Sequence, residues 1–460
     1  MEFNVKTSHR IQGTFLNPTS DRKIEILHDH LLVKNEVDGT IDYFGPAVEA
    51  PKPKEVLDEV YKLAEDSFIL PGFVDTHIHA PQYINAGNAL DKPLKEWLEA
   101  YTFAAEARID ADPRGLGLKV YSRLVKRLIG SGTTAASVFG TLSVEANVVL
   151  AEAFIDGGIR GHIGKVNMDQ NGIPTYIETT EASLRDTETF LSTLATKLEA
   201  VPAPYNDLVE ACITPRFVPT CTPKLLDGLS ALVEKHQLRI QSHMSESIGQ
   251  VEWSKSLSDG VEDIHALDHH KLLTPRSLMA HCTHSTRAHL LLLSERQTSI
   301  SHCPLSNLYF SPEKSFPLRS ALTHAVKVGL GSDVSGGYDP SIESSMRMAV
   351  AVARQRAHAP EGVEKGESGV EWEEALWVAT RGGAEAMGLS TGVFERGRPF
   401  DAQLIELGSP CSRVEWFDGF GEEGSVEVTT PFKTKVEKWF HLGSEVDRKA
   451  VWVQGRNVLQ

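Results

Sequence analysis

Short apolar segments alternate with helix-like segments over most of the chain. From about residue 115 onward, the helix-like segments carry apolar residues at a three-to-four spacing, and each apolar segment runs into a turn with polar or histidine residues. We interpret the apolar segments as strands at residues 68–74, 133–138, 161–168, 209–213, 238–242, 277–280, 298–301 and 326–331. Eight strands with helices between them, such as 116–129, 183–198, 223–236 and 341–354, predict a (β/α)8 barrel.

The two ends of the chain follow a different pattern. Residues 9–16 and 23–34 alternate polar and apolar positions, as do residues 400–407 and 450–459, which is typical of strands with one buried face. We therefore predict a small β-sandwich built from residues 1–70 and 392–460, with the barrel at residues 71–391 inserted between them. The polar residues 359–369 are expected to form an exposed loop.

Composition narrows the class of protein. The chain has 460 residues, of which 41% are hydrophobic and 23% charged, and it lacks the run of roughly 18 apolar residues that a membrane-spanning helix needs. Residues 1–10 show no basic patch followed by an apolar core, so we expect a soluble, cytoplasmic protein. The five cysteines form no CxxC pair and are expected to be reduced thiols.

The net charge indicates what kind of partner to expect. A formal charge of −16 disfavours nucleic acid and anionic membranes, because both reward a basic surface. It is compatible with an enzyme that acts on small neutral molecules.

Two histidines end the first predicted barrel strand. His77 and His79 are separated by one residue, so the alternation of a strand points both side chains to the same face. At the carboxyl end of a barrel strand that face borders the active site, where two imidazoles can bind one metal ion. Because an isolated HxH also occurs by chance on surface strands, this pair alone leaves metal binding and a surface role equally open.

Three further residues of the metal-binding type follow other predicted strands. His243 follows residues 238–242, His281 follows residues 277–280, and Asp333 follows residues 326–331. Each alone is more often an ordinary loop residue, but barrel active sites are assembled from several strand ends on one face. Together they predict a metal site. His302 also follows a strand, and a pocket role and a structural role stay open for it.

Glu246 stands three residues after His243, where a strand would turn into a helix. A carboxylate that lies beside a metal without binding it is suited to moving protons between water, a ring nitrogen and a leaving amine. The alternative is an acid favoured by the helix dipole. The nearby metal-type residues favour the catalytic interpretation.

With these residues in place, the sequence resembles the guanine deaminase family within the amidohydrolase superfamily, over nearly its full length. The likeness is carried by residues 71–83 (PGFVDTHIHAPQY), 97–108 (WLEAYTFAAEAR), 164–169 (GKVNMD), 213–217 (ITPRF), 241–246 (QSHMSE), 279–281 (MAH) and 329–338 (GLGSDVSGGY). The HxH pair with a later His and Asp is general to the superfamily, whereas HAPQY, the YTF and AEAR segment and ITPRF are specific to guanine deaminases.

The resemblance implies a ligand set and a reaction. It implies one Zn²⁺ ion held by His77, His79, His243 and Asp333, with His281 beside the metal-bound water or ligating directly. It also implies hydrolysis of guanine to xanthine and ammonia, in which Asp333 accepts a proton from water and Glu246 protonates ring N3 and the leaving amine. Superfamily members with two metals carry a lysine on the fourth strand, which here ends in Thr214-Pro215-Arg216, so we expect one ion.

By the same resemblance, the purine is read by Gln82, Arg216 and Phe217. A guanidinium fork matches the O6 and N7 acceptors of guanine, and an aromatic ring can stack on the base. The resemblance further implies a homodimer. Two rivals remain: an aminohydrolase of the same superfamily acting on an oxidised purine, a pterin or a triazine, and a catalytically silent scaffold protein. The second predicts lost ligands, and all of the expected ones are present.

Overall fold

The computed structural model describes residues 4–51, 59–358, 368–417 and 430–459. The expected loop at residues 359–369 lies almost wholly outside these ranges. The strands are β1 (Arg10–Pro18), β2 (Ile24–Lys34), β3 (Ile41–Pro46), β4 (Tyr61–Lys62), β5 (Ser67–Pro71), β6 (Phe73–His79), β7 (Thr133–Phe139), β8 (Arg160–Gly164), β9 (Val166–Asn167), β10 (Val209–Pro215), β11 (Arg239–Met244), β12 (Ser277–His281), β13 (Ser299–His302), β14 (Val328–Leu330), β15 (Ala402–Glu406), β16 (Arg448–Val453) and β17 (Arg456–Asn457).

Helices follow most of the strands from β6 onward. They are α1 (Leu94–Trp97), α2 (Phe103–Ala111), α3 (Leu118–Gly130), α4 (Val144–Gly157), α5 (Thr180–Glu199), α6 (Pro223–His236), α7 (Ile248–Leu257), α8 (Asp263–His269), α9 (Arg287–Arg296), α10 (Pro304–Phe310), α11 (Leu318–Thr323), α12 (Ile342–Ala357), α13 (Trp372–Trp377), α14 (Gly383–Met387) and α15 (Phe432–Leu442). Local sequence explains their ends: α6, for example, starts where the Thr222 hydroxyl accepts from Leu225 N and Pro223 occupies the first turn, and it ends at Gln237 with left-handed backbone.

Eight parallel strands close into a barrel, which confirms the predicted fold class. The order is β6, β7, β8, β10, β11, β12, β13 and β14, with β14 pairing back to β6. Two predicted strands were wrong in extent. Residues 161–168 divide into β8 and β9, and residues 68–74 divide at Gly72 into β5 of the terminal sheet and β6 of the barrel. Gly72 is required there because a Cβ would lie 2.2 Å from the Thr134 side chain.

The two ends of the chain come together, as predicted, in a β-rich unit beside the barrel, and its strands pair in one sheet rather than in two packed ones. Its strands run in the order β17, β16, β15, β5, β1, β2 and β3, with β4 pairing to β1. Phe15, Phe400 and Trp452 are among the large side chains of its hydrophobic core, and each is fully buried. The predicted residue boundaries of the two domains stay a prediction.

Two simpler expectations can be compared with the structure. All five cysteines are free thiols; Cys411 is exposed and the other four are buried. Within the described ranges, no helix has both the length and the apolar character needed to cross a membrane.

A buried ion pair joins the barrel to the terminal sheet. Arg160 at the start of β8 donates from Nε to Asp401 Oδ2 at 2.5 Å and from Nη2 to Asp401 Oδ1 at 3.0 Å. Asp401 also accepts from Gln454 N at 2.8 Å, and Arg160 donates to the Gln454 side chain. The Asp401 side chain is fully buried. The pair therefore fixes how the two ends of the chain sit against the barrel.

We predict that Asp401→Ala destabilises the protein by about 3–5 kcal/mol, because it leaves the Arg160 guanidinium buried without a counter-charge. Urea unfolding followed by circular dichroism measures the change. Glu145→Ala is the control: it removes an ion pair with Arg114 whose two side chains are each 53% exposed, and it should cost less than about 1 kcal/mol. Equal losses from the two variants would contradict the linking role of Asp401.

Candidate active site

The carboxyl ends of the barrel strands bring the predicted metal residues together. His77 and His79 end β6, His243 lies on β11, His281 ends β12, and Asp333 lies just after β14. All five side chains are buried. His281 and Asp333 have left-handed backbone, with φ of 69° and 49°, a conformation that is costly for non-glycine residues and concentrates at functional sites.

Potential ligand atoms of four residues lie within 4.8 Å of one another: those of His77, His79, His243 and Asp333. Asp333 Oδ1 is 3.1 Å from His77 Nε2 and 3.6 Å from His79 Nε2. The Nε2 atoms of His79 and His243 are 2.9 Å apart. The four residues that the resemblance implied as ligands thus share one centre.

The chemistry of this group fits a divalent metal. His243 Nδ1 lies 2.6 Å from the carbonyl oxygen of Arg216, so it can donate there and leave a lone pair on Nε2. His77 Nε2 is buried without a hydrogen-bond partner. Burial lowers the pKa of His77, His79 and His243 well below the usual value, with nearby positive charges adding to the effect, so the imidazoles are neutral as ligation requires. Three such nitrogens and a carboxylate make up a donor set that suits zinc.

Asp75, which sequence reasoning did not single out, fastens two of the ligand-bearing segments. Its carboxylate accepts from Ser332 N at 3.0 Å and Oγ at 2.5 Å, and from His77 N at 3.2 Å. Burial raises the pKa of Asp75 to about 7. The signal for it was present in the sequence as the one acidic residue of VDTHIH (residues 74–79), two residues before His77.

His281 and Glu246 lie beside the four-residue group. His281 Nε2 is 3.7 Å from Glu246 Oε2 and 3.8 Å from Asp333 Oδ2, and it has no hydrogen-bond partner. Its Nδ1 is 2.9 Å from Asn307 Oδ1, which orients the ring and which sequence reasoning missed. Burial, and then the charge of Asp333, raises the pKa of Glu246 well above its usual value. Glu246 is therefore placed to hold a proton next to the ligand group.

One cavity contains the predicted catalytic and base-reading residues. It is lined by His79, Gln82, Leu94, Trp97, Leu98, Arg216, Phe217, His243, Glu246, His281, Phe310, Asp333 and Gly336. Every candidate residue borders this cavity except His77, whose ring packs beside those of His79 and His243. A pocket in which apolar side chains surround converging polar groups is typical of a small-molecule site.

A buried carboxylate contacts two residues of the predicted base-reading wall, which consists of Gln82, Arg216 and Phe217. Glu106 of α2 accepts from Arg216 Nη1 at 2.8 Å and Nη2 at 3.0 Å, and from Gln82 Nε2 at 2.9 Å. The Arg216 guanidinium also lies 5.0 Å from the centre of the Phe103 ring. Sequence reasoning missed Glu106, although it falls in the AEAR segment that carries the resemblance.

Other titratable residues near the barrel have different roles. Lys165 Nζ donates to Glu178 Oε1 at 2.7 Å, a buried ion pair that is typical of a structural role. His302 is buried, with its ring centre 4.7 Å from that of Phe316, and it does not line the cavity. His281, Cys303 and Asp333 form a second group of potential ligand atoms that shares Asp333 with the first.

Comparison with known proteins was made at the level of sequence and of structure. Residues 68–458 match the model of the Amidohydrolase family. The chain is 35% identical to the guanine deaminase of Dictyostelium discoideum, covering 97% of each, and 37% identical to that of Rattus norvegicus, covering 97% of this chain and 96% of the other. The crystal structure of guanine deaminase from C. acetobutylicum with bound guanine matches with a TM-score of 0.84 at 30% identity, covering 97% of this chain and 99% of that one. These likenesses confirm the resemblance stated from the sequence.

We predict that the chelator-treated protein takes up one Zn²⁺ ion per chain in isothermal titration calorimetry. His243→Ala should weaken the affinity at least about 100-fold, because it removes one of four converging ligands. His162→Gln is the matched control, since His162 is also buried in a barrel strand but lies outside both ligand groups. Uptake of two ions would instead indicate that the group with Cys303 binds as well, and unchanged affinity in His243→Ala would contradict the ligand set.

Proposed function

Because the chain belongs to the amidohydrolase family, we propose that it hydrolyses guanine to xanthine and ammonia. The observation that carries the proposal is a single cavity bordered by three kinds of group: a His and Asp cluster, a buried carboxyl group at Glu246, and the guanidinium of Arg216. The guanine deaminases to which the chain is 35–37% identical over nearly its whole length support the choice of base.

The base-reading residues support a 6-oxopurine as substrate. Arg216 offers only donors, which match the O6 and N7 acceptors of guanine and oppose the 6-amino group of adenine. Phe217 also lines the cavity, with its ring centre 6.3 Å from that of His243, and can stack on the base. Gln82 offers an amide to the edge of the ring.

The proton transfers are assigned to Asp333 and Glu246. Asp333 accepts a proton from the attacking water, and Glu246 delivers its own proton to ring N3. Glu246 then takes the proton of the hydroxyl at C2 and passes it to the departing amine, and the proton on Asp333 returns to Glu246 to restore the starting state. His281 lies between the two carboxylates, with Nε2 within 3.8 Å of an oxygen of each, and it is assigned a place beside the attacking water. A Zn²⁺ ion held by His77, His79, His243 and Asp333 would lower the pKa of its water toward about 7.

The homodimer and the cytoplasmic location stay predictions, as does the choice of zinc over iron. The absence of nucleic-acid and membrane partners rests on the charge of −16.

We predict that Glu246→Gln lowers kcat for guanine by about 10²–10⁴-fold with metal content unchanged, because the amide keeps the shape of the side chain but cannot shuttle a proton. Xanthine absorbance and released ammonia measure the reaction, and elemental analysis measures the metal. Glu252→Gln is the control, since Glu252 lies on the neighbouring helix with its side chain 63% exposed.

The same assay with a panel of bases tests the choice of substrate. Guanine, adenine, cytosine and 8-oxoguanine are supplied separately to the wild type. Rapid conversion of guanine alone supports the proposal. Ammonia from a different base would keep the reaction type and overturn the assignment of Gln82, Arg216 and Phe217, whereas no turnover with metal bound would favour the scaffold interpretation.

A further inference from the structure

Glu106 is a fully buried carboxylate that the reaction itself does not use. It lies on α2 behind the cavity wall and is not among the residues that line the cavity. Its carboxylate oxygens accept three hydrogen bonds, two from Arg216 and one from Gln82. A buried charge is costly unless it is paired, and this one is paired with the two polar side chains that face the base.

The contact with Arg216 fixes one edge of the guanidinium. Glu106 binds Nη1 and Nη2 at 2.8 and 3.0 Å, and the Phe103 ring lies 5.0 Å from Arg216 Cζ. A planar fork that is held at one edge and packed against an aromatic ring loses its rotational freedom. The edge that carries Nε is not used by Glu106. Arg216 therefore presents donors to the cavity in one orientation.

The contact with Gln82 fixes the polarity of an amide. Gln82 Nε2 donates to Glu106 Oε1 at 2.9 Å, and Gln82 Oε1 accepts from Ser335 N at 3.4 Å. Rotating the amide by half a turn would place its carbonyl oxygen against the carboxylate and its NH₂ group against a backbone N–H. Glu106 thus determines which side of the amide donates and which accepts.

We propose that Glu106 is a positioning residue that sets specificity for the 6-oxo group of the purine, by holding the Arg216 fork and the Gln82 amide in register. The inference rests on the proposed function and deepens it. Glu106 contacts no reacting atom. It affects selectivity through Arg216 and Gln82, the two side chains that it orients. These two side chains recognise the O6 and N1 edge of the purine, where bases differ.

The test uses two bases that share the reacting C2 amine and differ at position 6. Guanine carries O6 and a proton on N1, whereas 2-aminopurine has hydrogen at C6 and an unprotonated N1, so it keeps N7 but offers Arg216 no O6 acceptor. In Glu106→Gln, kcat/KM for guanine should fall about 100-fold, as a small misplacement of a positioning group does. The value for 2-aminopurine should fall far less, so the preference for guanine should shrink more than about tenfold.

Two further measurements keep the test decisive. Dissociation constants of both bases, measured in the Glu246→Gln background, should show the same loss of preference without depending on turnover. Glu106→Asp keeps the negative charge but shortens the side chain that carries the carboxylate. If Glu106→Gln does not fold, the base preference of Glu106→Asp tests the proposal instead. Glu178→Gln, which breaks the ion pair with Lys165 elsewhere in the barrel, should leave the preference unchanged.

The outcomes separate this inference from the proposed function. Equal losses for guanine and 2-aminopurine in a folded, metal-bound variant would mean that Glu106 supports structure only, and would overturn its role in specificity while the deaminase activity stands. An inactive, metal-loaded wild type that binds neither base would overturn both proposals. A collapse of the preference in the two Glu106 variants, and not in Glu178→Gln, is the expected result.

Discussion

The barrel closes between β14 and β6, and the candidate active site is built on that closure. The two strands share one ladder pair, Leu330 with Asp75, and the seam continues through polar contacts beyond the end of the ladder. Asp333 N donates to His77 O at 2.8 Å, and His79 N donates to Val334 O at 3.0 Å. Closing the sheet therefore brings the Asp333 carboxylate onto the two β6 histidines.

The Asp75 carboxylate strengthens the same seam from inside. It accepts from the backbone and hydroxyl of Ser332 and from the backbone of His77, so one side chain bridges the first and the last barrel strand. Loss of these hydrogen bonds would lower stability, because their buried donors would be left without acceptors. The register of the ligand-bearing segments is thus held by hydrogen bonds between protein groups.

The sequence predicted much of this arrangement because the governing signals are local. Apolar runs that end in histidine or aspartate located the strand ends, and barrel geometry then required His77, His243 and Asp333 to meet. The predictions were wrong in extent at Gly72 and Lys165, where an apolar run continues through a break that tertiary contacts impose. Periodicity cannot show such a break.

Residues that act through other residues were the ones that sequence reasoning missed. Glu106, Asp75 and Asn307 hold side chains that are distant along the chain, and their importance depends on contacts that only the folded structure supplies. A glutamate on an amphipathic helix and an asparagine after a strand are ordinary in sequence. Glu106 lies in one of the segments that carry the family resemblance, but the residues next to it in the sequence did not indicate that its side chain faces inward.

The structure also separates the chemistry from the recognition of the base. The candidate metal ligands stand on β6, β11 and the segment after β14, whereas the proposed base-reading wall comes from the segment after β10 and the turn after β6, with α2 behind it. His243 is one of the few links between them, since its Nδ1 bonds to the carbonyl oxygen of Arg216. Because Glu106 orients the wall from outside the cavity, the wall can change its hydrogen-bonding pattern while the metal-binding residues keep theirs. That separation is a physical reason why one barrel architecture can serve bases of different shape with the same hydrolytic chemistry.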